Sequence, residues 1–517
     1  MPTSPCDPPN GPLRPRAVRE RRLTELVDVL TDATLYGDDT VAVRGITHDS
    51  RQVQPGDLYL ARPGEHTHGI QHVDGAVAAG AAAVLTDPQS VGTALAAGAA
   101  AVVSVADPRA LAGPAAAWVY GSPAADLSVI GITGTNGKTT TAYLVDAGLR
   151  AAGHTTGMIG TVETHVAGTV IPSLRTTPES TDLQALFAVM RERGVDSVAM
   201  EVSSHALALD RVAGTAFAVG VFTNLSQDHL DFHRDMDDYY SAKARLFAGG
   251  LARRGVVMVD DEWGKRLARE SAVPVVTVGT ADADWHVVGT RGAGEGSVAR
   301  MVAPDGSVHD IAVSLPGRFN IANAALAYVV LLELGVASDD AARGIAGLAA
   351  VPGRMERVDA GQPFLAVVDY AHTPDAVASL LEEARALTRD GGHVVVVLGC
   401  GGDRDRGKRP LMGAAAARAA DVAVFTNDNP RSEDPQAILD AMTAGAAGGG
   451  ARVVVEPDRR GAIRLAVAEC SAGDVLVVAG KGHEQGQEAR GVVLPFDDRL
   501  VVHEVLTEAG YAPEASG

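Results

Sequence analysis

The last third of this chain alternates short apolar runs with helical segments, and this alternation constrains the fold more than any other feature. The apolar runs, which we interpret as buried strands, span residues 364–370, 393–399, 421–426, 452–456 and 474–480. Strands that alternate with helices are typical of βαβ units, which build a parallel sheet covered by helices. At 517 residues the chain is too long for one ordinary core. We therefore predict an α/β protein of several domains.

The order of these patterns predicts a flexible tail followed by three domains. Residues 1–22 are rich in Pro and Arg and lack the apolar segment of a signal peptide, so they are interpreted as the tail. Residues 23–125 are expected to form a small α/β domain, and residues 126–352 a central domain with a mainly parallel sheet. Residues 353–517 are expected to form a C-terminal Rossmann-like domain, reached through a linker at VPGRMERV (351–358).

The bulk composition excludes several classes of partner. The formal charge of −20 argues against nucleic acid and acidic membranes, although local Arg and Lys can still bind small anions. The Ala-rich stretch 76–103 is interrupted by Asp87, Pro88 and several Gly, so no membrane insertion is expected. Cys6, Cys400 and Cys470 are odd in number and lack ligand-like spacing, which predicts neither disulfides nor a zinc site. A cytoplasmic location is the simplest expectation.

The segment GITGTNGKTT (131–140) joins a predicted strand to an amphipathic helix. Gly134 and Gly137 would let backbone N–H groups close around phosphates, while Lys138 reaches the terminal phosphates and Thr139 ligates Mg²⁺. The helix N-terminus adds its positive dipole end. The usual GxxxxGK(S/T) spacing places its first Gly at Ile132, so this loop is a variant of that motif. It predicts an ATP site.

Carboxylates and imidazoles follow the next two predicted strands. MEVSSH (200–205) places Glu201 at the end of a buried strand, where a carboxylate is unfavourable unless it is paired or serves a cation. NLSQDHLDFH (224–233) supplies further candidates, namely Asp228, His229, Asp231 and His233. A zinc cluster is conceivable, and so is a polar loop without metal. Beside a phosphate loop, Mg²⁺ held by few protein ligands fits better.

Three strand ends of the predicted C-terminal domain carry Gly, Arg and acidic residues: 399–409 (GCGGDRDRGKR), 427–431 (NDNPR) and 480–484 (GKGHE). The first could suggest a dinucleotide loop, but the third Gly of GxGxxG is missing. Its Arg404, Arg406, Lys408 and Arg409 form a cationic cluster suited to carboxylates, with a solvated loop as the alternative. Such an edge could bind a zwitterion. By contrast, Lys243, on a probable helix, taken alone is typical of a solvated side chain.

From residue 25 to about 510 the ordered set of motifs resembles the Mur ligases, the ATP-dependent amino-acid-adding enzymes of peptidoglycan synthesis. The motifs are GTNGKTT, RTTPES, EVSSHAL, DHLDFH, AKARLF, GRFNIANA, PGRME, DYAHTPDA, GCGGDRDRGKRP, DNPR and GKGHE. Folylpolyglutamate synthases share single motifs, but not the ordered set. Within the family, DNPR resembles the version of the diaminopimelate-adding members. The sequence departs from some relatives in its long tail and at Leu209.

The resemblance implies roles for residues at matching positions. ATP would be bound by Gly134, Thr135, Asn136, Gly137, Lys138, Thr139, Thr140, Asn320, Asn323, Arg354 and Asp369. The first domain would bind uridine, and the UDP-muramoyl dipeptide would contact Ser50, His66, Thr67, His68, Thr176, Thr177, Ser203 and Arg211. Diaminopimelate would contact Arg404, Asp428, Asn429, Pro430, Arg431, Gly480 and Glu484. Catalytic residues would be Lys138, Lys243, Glu201 and His229, with Mg²⁺ held by Thr139, Glu201, His229 and a Lys243 that carries a CO₂-derived carbamate.

The function that this resemblance implies is ATP-dependent addition of diaminopimelate to UDP-MurNAc-L-Ala-D-Glu, through an acyl phosphate and a tetrahedral intermediate. The expected partners are these small molecules, and the expected state is a monomer. A lysine-adding Mur ligase and a folate-glutamylating ligase are the enzymatic alternatives, the latter disfavoured by the predicted uridine-binding domain. A non-catalytic nucleotide-binding regulator would lack Lys138, Glu201 or His229, and all three are present.

Overall fold

The computed structural model describes residues 14–64, 67–173, 175–293, 296–389 and 391–512. Three sheets occupy three consecutive stretches of the chain and are called here the first, second and third sheet. None of the helices in these ranges combines the length and apolar composition that a membrane crossing requires. Cys400 and Cys470 are buried free thiols, and Cys6 lies outside the described residues.

The first sheet has five strands in the order β2-β7-β6-β5-β4, parallel except for the β2–β7 pair. Its stretch contains β1 (Arg21–Arg22), α1 (Leu23–Val29), β2 (Thr34–Gly37), β3 (Ala42–Val43), β4 (Gly45–Thr47), β5 (Asp57–Leu60), α2 (Val73–Ala78), β6 (Ala83–Thr86), α3 (Val91–Ala96), β7 (Ala101–Ser104) and α4 (Ala112–Val119). Strands β5, β6 and β7 are buried throughout, as expected for parallel strands covered on both faces.

The second sheet has eleven strands in the order β11-β10-β9-β12-β8-β13-β14-β15-β16-β17-β18, and its central part from β9 to β16 is parallel. The elements are β8 (Ser128–Thr133), α5 (Lys138–Ala151), β9 (Thr156–Ile159), β10 (Glu163–Val166), β11 (Thr169–Pro172), α6 (Ser180–Glu192), β12 (Ser197–Glu201), α7 (Ser204–Ala208), β13 (Val219–Phe222), α8 (Met236–Ala244), β14 (Gly255–Met258), α9 (Glu262–Glu270), β15 (Val275–Gly279), β16 (Trp285–Ala293), β17 (Gly296–Val302), β18 (Val308–Val313), α10 (Arg318–Glu333) and α11 (Ser338–Ala346). Apolar cores fill both faces, with Leu144, Val145 and Leu149 of α5 in one of them, as predicted.

The third sheet has six strands in the order β19-β20-β24-β21-β22-β23, parallel except for β19. Its stretch contains β19 (Glu356–Val358), β20 (Leu365–Asp369), α12 (Pro374–Leu387), β21 (Val394–Leu398), α13 (Lys408–Ala419), β22 (Val422–Phe425), α14 (Pro435–Ala446), β23 (Arg452–Val455), α15 (Arg459–Glu469), β24 (Val475–Ala479), β25 (Gly486–Ala489), β26 (Val492–Pro495) and α16 (Asp498–Glu508). All five apolar runs of the last third are strands, so the predicted α/β class and parallel sheet are confirmed.

The sequence predicts a flexible tail through residue 22, and this prediction is wrong from Arg14 onward. Arg14 Nη1 lies 2.7 Å from Oδ1 of Asp57, whose side chain is 2% exposed. The backbone N–H of Ala17 donates to Glu192 Oε1 at 2.7 Å, and β1 pairs with β3. A segment rich in Pro and Arg is not expected to contribute to a core. Its composition cannot show, however, that the buried carboxylate of Asp57 needs a cationic partner and finds it in Arg14. Residues 1–13 lie outside the described part of the chain.

The strand order places the loops that follow β12, β8 and β13 side by side at one edge of the second sheet. In the second sheet, β8 lies between β12 and β13, which both come later in the sequence. The carboxyl end of β8 is therefore a topological switch point, the usual ligand position in open α/β sheets. In the third sheet the carboxyl ends of β20, β24, β21 and β22 are likewise adjacent. Residues from both edges line one cavity of about 230 Å³.

Candidate active site

The loop between β8 and α5 forms a phosphate-sized cradle at the floor of this cavity. Gly134 has φ +146° and Gly137 has φ +85°, a region that favours glycine. A Cβ at Gly134 would lie 1.9 Å from Thr223 Oγ1, and one at Gly137 would lie 2.3 Å from Asn323 Oδ1. Both positions therefore require glycine, and the first turn of the 14-residue helix α5 opens into the cavity. This geometry suits an anion at a helix N-terminus.

Two lysines share the wall of this cradle. Lys138 Nζ donates to the carbonyl oxygens of Gly134 at 3.0 Å and Thr135 at 2.8 Å. Lys243 Nζ donates to the same Gly134 oxygen at 2.7 Å and lies 4.5 Å from the ring centroid of Tyr239. The expectation that a lone helix lysine is solvated is wrong here, since Lys243 is 1% exposed. Burial, followed by the positive charge of Lys138, lowers the pKa of Lys243 well below its ordinary value.

Glu201, the last residue of β12, is a buried carboxylate that connects three segments of the cavity wall. Its Oε1 accepts from Thr139 Oγ1 at 3.0 Å and from the Thr161 N–H at 2.7 Å. Its Oε2 accepts from Thr161 Oγ1 at 3.0 Å. Thr177 Oγ1 donates to the Glu201 carbonyl at 2.9 Å, and Thr176 Oγ1 lies 3.0 Å from Thr161 Oγ1. Glu201 thus ties the predicted peptide-binding threonines to the phosphate cradle.

Asp228 and His229 lie where the second and third sheets meet. Asp228 Oδ2 is 3.7 Å from His372 Nε2 and Oδ1 is 3.6 Å from Lys408 Nζ, both contributed by the third sheet's stretch. Burial opposes ionisation of Asp228, but His372 and the neighbouring positive charges outweigh it and hold its pKa well below the ordinary value. His229 has φ +55°, a strained conformation for a residue with a Cβ. Burial lowers the pKa of His229 to about 3, so its imidazole is neutral at pH 7.

The predicted linker does more than connect, because Arg354 reaches across the seam into the cavity. Its Nη2 donates to Thr139 Oγ1 at 3.1 Å, and its guanidinium lies 4.5 Å from the ring centroid of Tyr370. Asp369, at the end of β20, accepts from the Met355 N–H at 2.7 Å, which fixes the segment that carries Arg354. Burial raises the pKa of Asp369. The contact between Arg354 and Thr139 joins the third sheet's stretch to the phosphate cradle.

The two asparagines predicted to bind ATP occupy different environments. Asn323 lines the cavity beside Gly137, whereas Asn320 is buried behind it. Asn320 Nδ2 donates to the Pro316 carbonyl at 2.7 Å, and its Oδ1 accepts from Asn323 Nδ2 at 3.0 Å. Asn320 thus supports Asn323 instead of facing the cavity.

The strand ends DNPR and GKGHE are joined by a buried lysine. Lys481 has a side chain that is 0% exposed, and its Nζ donates to Asn429 Oδ1 at 3.2 Å and to Glu484 Oε2 at 3.0 Å. Asn429 Nδ2 donates to the same Glu484 oxygen at 2.8 Å. Gly480 has φ +112°, and a Cβ there would lie 2.7 Å from Asp428 Oδ2. The two loops therefore form one polar surface.

Arg431 has φ +52°, and its Nη1 donates to the Gly402 carbonyl at 2.7 Å. A Cβ at Gly401 would lie 3.0 Å from Arg431 Nη1 and 3.7 Å from Arg404 Cγ, so both arginines flank this glycine. Pro430 precedes Arg431 in the turn, and its carbonyl accepts from the Glu433 N–H at 3.1 Å.

The predicted cationic cluster at 404–409 is divided in the structure. Arg409 Nη2 lies 2.8 Å from Glu433 Oε1, and Arg406 Nη2 lies 3.1 Å from Glu433 Oε2. Lys408 contacts Asp228, while Arg404 is exposed. The cluster fails as a unit because the helix α13 begins at Lys408, so its residues leave the loop in different directions. Arg404 is left beside Arg431.

The residues predicted to bind the UDP-muramoyl dipeptide lie in the first stretch and along its border with the second sheet. Ser50 opens a short helical turn, and His68 lies 2.7 Å from Asp87 Oδ2. Ser203 caps α7 by accepting from the Ala206 N–H at 3.1 Å. Arg211 Nη2 pairs with Glu179 Oε1 at 2.9 Å. Thr67 lies beside His68, and His66 lies outside the described residues.

The donor set of the cavity fits Mg²⁺ better than zinc. Across the described residues, no three His, Cys, Asp or Glu side chains are grouped to hold a metal. His233 Nε2 instead contacts Ser204 Oγ at 2.9 Å, away from Asp228. Oxygen donors from Thr139 and Glu201 beside a phosphate cradle match a hard cation that takes most of its ligands from phosphate and water. Chemically, the cradle and the cationic side chains around it can bind the phosphate groups of a nucleotide beside a hard cation.

Comparison with known proteins identifies the family. Three family models match in order: "Mur ligase family, catalytic domain" over residues 42–119, "Mur ligase middle domain" over 132–331 and "Mur ligase, glutamate ligase domain" over 353–482. The UDP-N-acetylmuramoyl-L-alanyl-D-glutamate–2,6-diaminopimelate ligase of Streptomyces coelicolor is 54% identical over 503 residues, covering 96% of this chain and 98% of that protein. The chain belongs to the Mur ligase family.

Solved structures agree with this family. A structure of a UDP-N-acetylmuramoyl-L-alanyl-D-glutamate–2,6-diaminopimelate ligase matches the Mur ligase described here with a TM-score of 0.65 and 28% identity. The match covers 96% of this chain and 100% of that one. MurF ligase from Thermotoga maritima, solved in complex with ADP, matches with a TM-score of 0.63 and 18% identity, over 90% of this chain and 97% of that one. At that identity the second match shows the fold alone.

Several side chains of this Mur ligase were missed by the sequence interpretation. Thr161, Tyr239, Tyr370 and His372 line the cavity, and Lys481 joins two of the predicted loops. Tyr370 ends the predicted strand 364–370 and His372 follows two residues later, so their position at a strand end was an available signal. Lys481 lies in the predicted strand end 480–484, which was likewise an available signal. Tyr239 carries no such signal, because its contact with Thr135 spans 104 residues of sequence.

Proposed function

We propose that this Mur ligase adds diaminopimelate to UDP-MurNAc-L-Ala-D-Glu and converts ATP to ADP and phosphate. The observation that carries the proposal is the shared cavity: a phosphate cradle on the second sheet faces Arg354, Asp369, Tyr370 and His372 of the third sheet's stretch. The 54% identity to a diaminopimelate-adding relative supports the choice of substrates. We propose a monomer as the acting unit. We place the enzyme in the cytoplasm, where these precursors are made.

The chemistry requires activation of the acceptor carboxylate. A carboxylate resists attack by an amine because its leaving group would be oxide. Transfer of the γ-phosphoryl group to that carboxylate forms an acyl phosphate, and the P–O bond to ADP breaks. The amine of the amino acid then attacks the acyl carbon, a tetrahedral intermediate forms, and phosphate leaves with the C–O electron pair while the amine loses a proton.

The residues of the cradle would stabilise charge on the transferring phosphoryl group. Lys138 and the N-terminus of α5 face the position of the terminal phosphates, and Arg354 adds a second cation from the other side of the seam. Water would destroy the acyl phosphate. Contacts of Asp228 with His372 and Lys408 hold the two sheet edges together and support exclusion of water.

Mg²⁺ would be held by Thr139, Glu201 and His229, and when bound it supplies positive charge that neutralises the phosphate oxygens. We further propose that Lys243 carries a carbamate, formed when its neutral amine adds CO₂ and releases a proton. Burial lowers the pKa of this amine, which favours the nucleophilic neutral form. The carbamate would place an anion beside Lys138, whose positive charge opposes an ammonium at the Lys243 position.

The three stretches of the chain would divide the binding of substrates among them. We propose that residues 23–125 bind the uridine end, that 126–352 bind ATP and the peptide end, and that 353–517 bind diaminopimelate. Asn323, Arg354 and Asp369 would lie near ATP, with Asn320 supporting Asn323. Thr176, Thr177 and Ser203 would contact the peptide, because they adjoin Glu201 at the rim of the cradle.

Diaminopimelate would be distinguished from lysine at its distal carboxylate. Arg431, held by Gly402, and the exposed Arg404 flank one glycine and present guanidinium groups to that carboxylate. Asp428 or Glu484 would meet the distal ammonium. Lysine would leave the arginines without that partner, which would weaken its binding.

The proposal is tested by phosphate release with UDP-MurNAc-L-Ala-D-Glu, ATP and Mg²⁺ across a panel of amino acids. Diaminopimelate should support turnover and form a new amide, detected as the tripeptide mass. Preference for lysine would favour the lysine-adding activity. Turnover with a folate and glutamate but not with the UDP-muramoyl dipeptide would contradict the proposal.

A further inference from the structure

The loop GKGHE packs directly on the backbone of the linker. A Cβ at Gly353 would lie 2.2 Å from the His483 backbone nitrogen. Gly482 has φ +52°, and a Cβ there would lie 2.8 Å from the Gly353 carbonyl oxygen and 2.8 Å from Tyr370 Cβ. No side chain fits between these two backbones, so the loop and the linker are fixed against each other.

The imidazole of His483 connects this loop with the second sheet. Its ring centroid lies 5.1 Å from that of Tyr370, whose ring also contacts the Arg354 guanidinium. The imidazole makes a hydrogen bond with the backbone of Thr161, in the turn between β9 and β10. Burial, followed by the positive charges of Arg354 and Arg499, lowers the pKa of His483 to about 3, so the imidazole is neutral at pH 7.

Thr161 belongs to the wall of the active-site cavity. Its N–H and Oγ1 donate to the two carboxylate oxygens of Glu201 at 2.7 and 3.0 Å. Its Oγ1 lies 3.0 Å from the hydroxyl of Thr176, which is proposed to contact the peptide end of the acceptor. On the other side of His483, the next residue along the chain is Glu484, in the proposed diaminopimelate site. One imidazole therefore connects the sites of the two groups that must react.

Packing alone does not explain a histidine at position 483. Its Nδ1 is buried and has no hydrogen-bond partner among the described residues. A buried polar atom without a partner is unfavourable, and an apolar side chain of similar size would avoid that cost. What an apolar side chain could not provide is the hydrogen bond with Thr161.

The proposed reaction, on which this inference rests, needs such a connection. The acyl phosphate reacts with the nucleophile that reaches it first. Attack by the amine forms the amide, whereas attack by water restores the carboxylate, and both release phosphate and a proton. Displacement of a reacting group by about 1 Å costs about 100-fold in rate. We propose that His483 is a positioning residue: its hydrogen bond with Thr161 holds the GKGHE loop at the cavity wall, so that the amine reaches the acyl carbon before water does.

The test compares tripeptide formation with phosphate release in wild type, His483→Leu, His483→Gln and the control His503→Leu. Both products are measured in the same samples, tripeptide by mass spectrometry and phosphate by a colorimetric assay, with UDP-MurNAc-L-Ala-D-Glu, ATP, Mg²⁺ and diaminopimelate. Leucine keeps the bulk of the side chain without a donor, whereas glutamine keeps an N–H that can reach Thr161. The control replaces an exposed histidine of α16. Thermal melts check folding.

Wild type should release one phosphate for each tripeptide. In His483→Leu the rate of tripeptide formation should fall by about 2- to 12-fold, the range to which one hydrogen bond corresponds. Phosphate release should fall less, so the ratio of phosphate to tripeptide should rise above one, while KM for ATP stays within about twofold. His483→Gln should restore a ratio near one, and His503→Leu should match wild type. Should His483→Leu fail to fold, His483→Asn, whose amide is one carbon too short for Thr161, should show the same excess of phosphate.

A ratio of one in a folded His483→Leu protein would overturn the inference even if both rates fell, because equal losses indicate a structural role. An excess of phosphate that His483→Gln does not reduce would also overturn it, since the hydrogen bond would not be the cause. Absence of tripeptide in wild type would refute the proposed function and this inference with it. Coupled turnover in wild type and variants alike would refute the inference alone.

Discussion

Lys481 offers a sharp test of how the third sheet presents its amino-acid site. Its buried Nζ contacts Asn429 Oδ1 at 3.2 Å and Glu484 Oε2 at 3.0 Å, so it joins the loops DNPR and GKGHE. The change to examine is Lys481→Met, which keeps the length of the side chain and removes its charge and hydrogen bonds. Asn429 Nδ2 would then be left as the partner of the Glu484 carboxylate at 2.8 Å.

The expected magnitude follows from the burial of the two partners. Breaking a fully buried pair costs about 3–5 kcal/mol. The Glu484 side chain is 31% exposed, so water can replace part of the lost interaction. The loss of charged hydrogen bonds, about 1.5–3 kcal/mol, is therefore the better guide. If this energy holds the loops in the binding conformation, kcat/KM for diaminopimelate should fall by about 10- to 150-fold.

The assay is phosphate release with diaminopimelate and with lysine, for wild type, Lys481→Met and the control Lys265→Met. The control removes the charge of a surface lysine that pairs with Glu262, three residues earlier on the same helix α9. In Lys481→Met the preference for diaminopimelate over lysine should fall, while KM for ATP stays within about twofold, because the cradle is untouched. Wild-type kcat/KM and an unchanged preference in Lys481→Met would refute the reasoning and show that the two loops hold their positions independently.

Further predictions concern the cradle, the buried lysine, the selectivity arginine and a buried ion pair. Lys138→Ala should abolish phosphate release while the melting temperature stays close to wild type; a folded, fully active variant would remove the ATP assignment. Lys243→Ala should be nearly inactive and partly rescued by added short carboxylates, which is checked by titrating acetate or formate into the assay; full activity without them would contradict the carbamate. Arg431→Ala should lower kcat/KM for diaminopimelate by about 10- to 150-fold and for lysine little, and Arg431→Lys should not restore it, since an ammonium lacks the fork; equal losses for both substrates would make DNPR a structural turn. Asp498→Ala should lower the free energy of unfolding in urea by about 3–5 kcal/mol, because it leaves the fully buried Arg459 without its ionic partner. In the wild type, Arg459 Nη2 lies 2.7 Å from Asp498 Oδ2. A loss of stability below about 1 kcal/mol would show that water reaches Arg459.

The sequence was a good guide wherever the signal is local. The apolar runs of the last third are the strands β20 to β24. Parallel strands inside a sheet must be apolar on both faces, and only β23, at the edge of this sheet, is largely accessible to solvent among these five. The glycines of GTNGKTT have the positive φ values that a phosphate cradle requires, a property of single residues and their neighbours. The polar residues that end these strands were therefore recognisable as candidates before any contact was known.

Local patterns were a poor guide where a side chain finds its partner far along the chain. Lys243 has the pattern of a solvated helix lysine, yet its partner is the carbonyl of Gly134, 109 residues away. Arg14 sits in a Pro- and Arg-rich segment, and its partner Asp57 lies 43 residues on. The cationic residues of 404–409 lie close together in sequence, but the helix α13 begins among them. As a result Lys408 contacts Asp228, whereas Arg409 pairs with Glu433.

The sequence alone determined the α/β class, the strand ends and the inventory of reactive side chains, because backbone periodicity and glycine requirements are encoded over a few residues. The tertiary structure decided which strand ends meet. The order β12-β8-β13 brings Glu201, the cradle and Asp228 together, and the packing of the third sheet against this edge adds Arg354 and His372. Sheet order and packing depend on pairings between distant segments, whose free energy is shared over the whole core, so no local pattern can specify them.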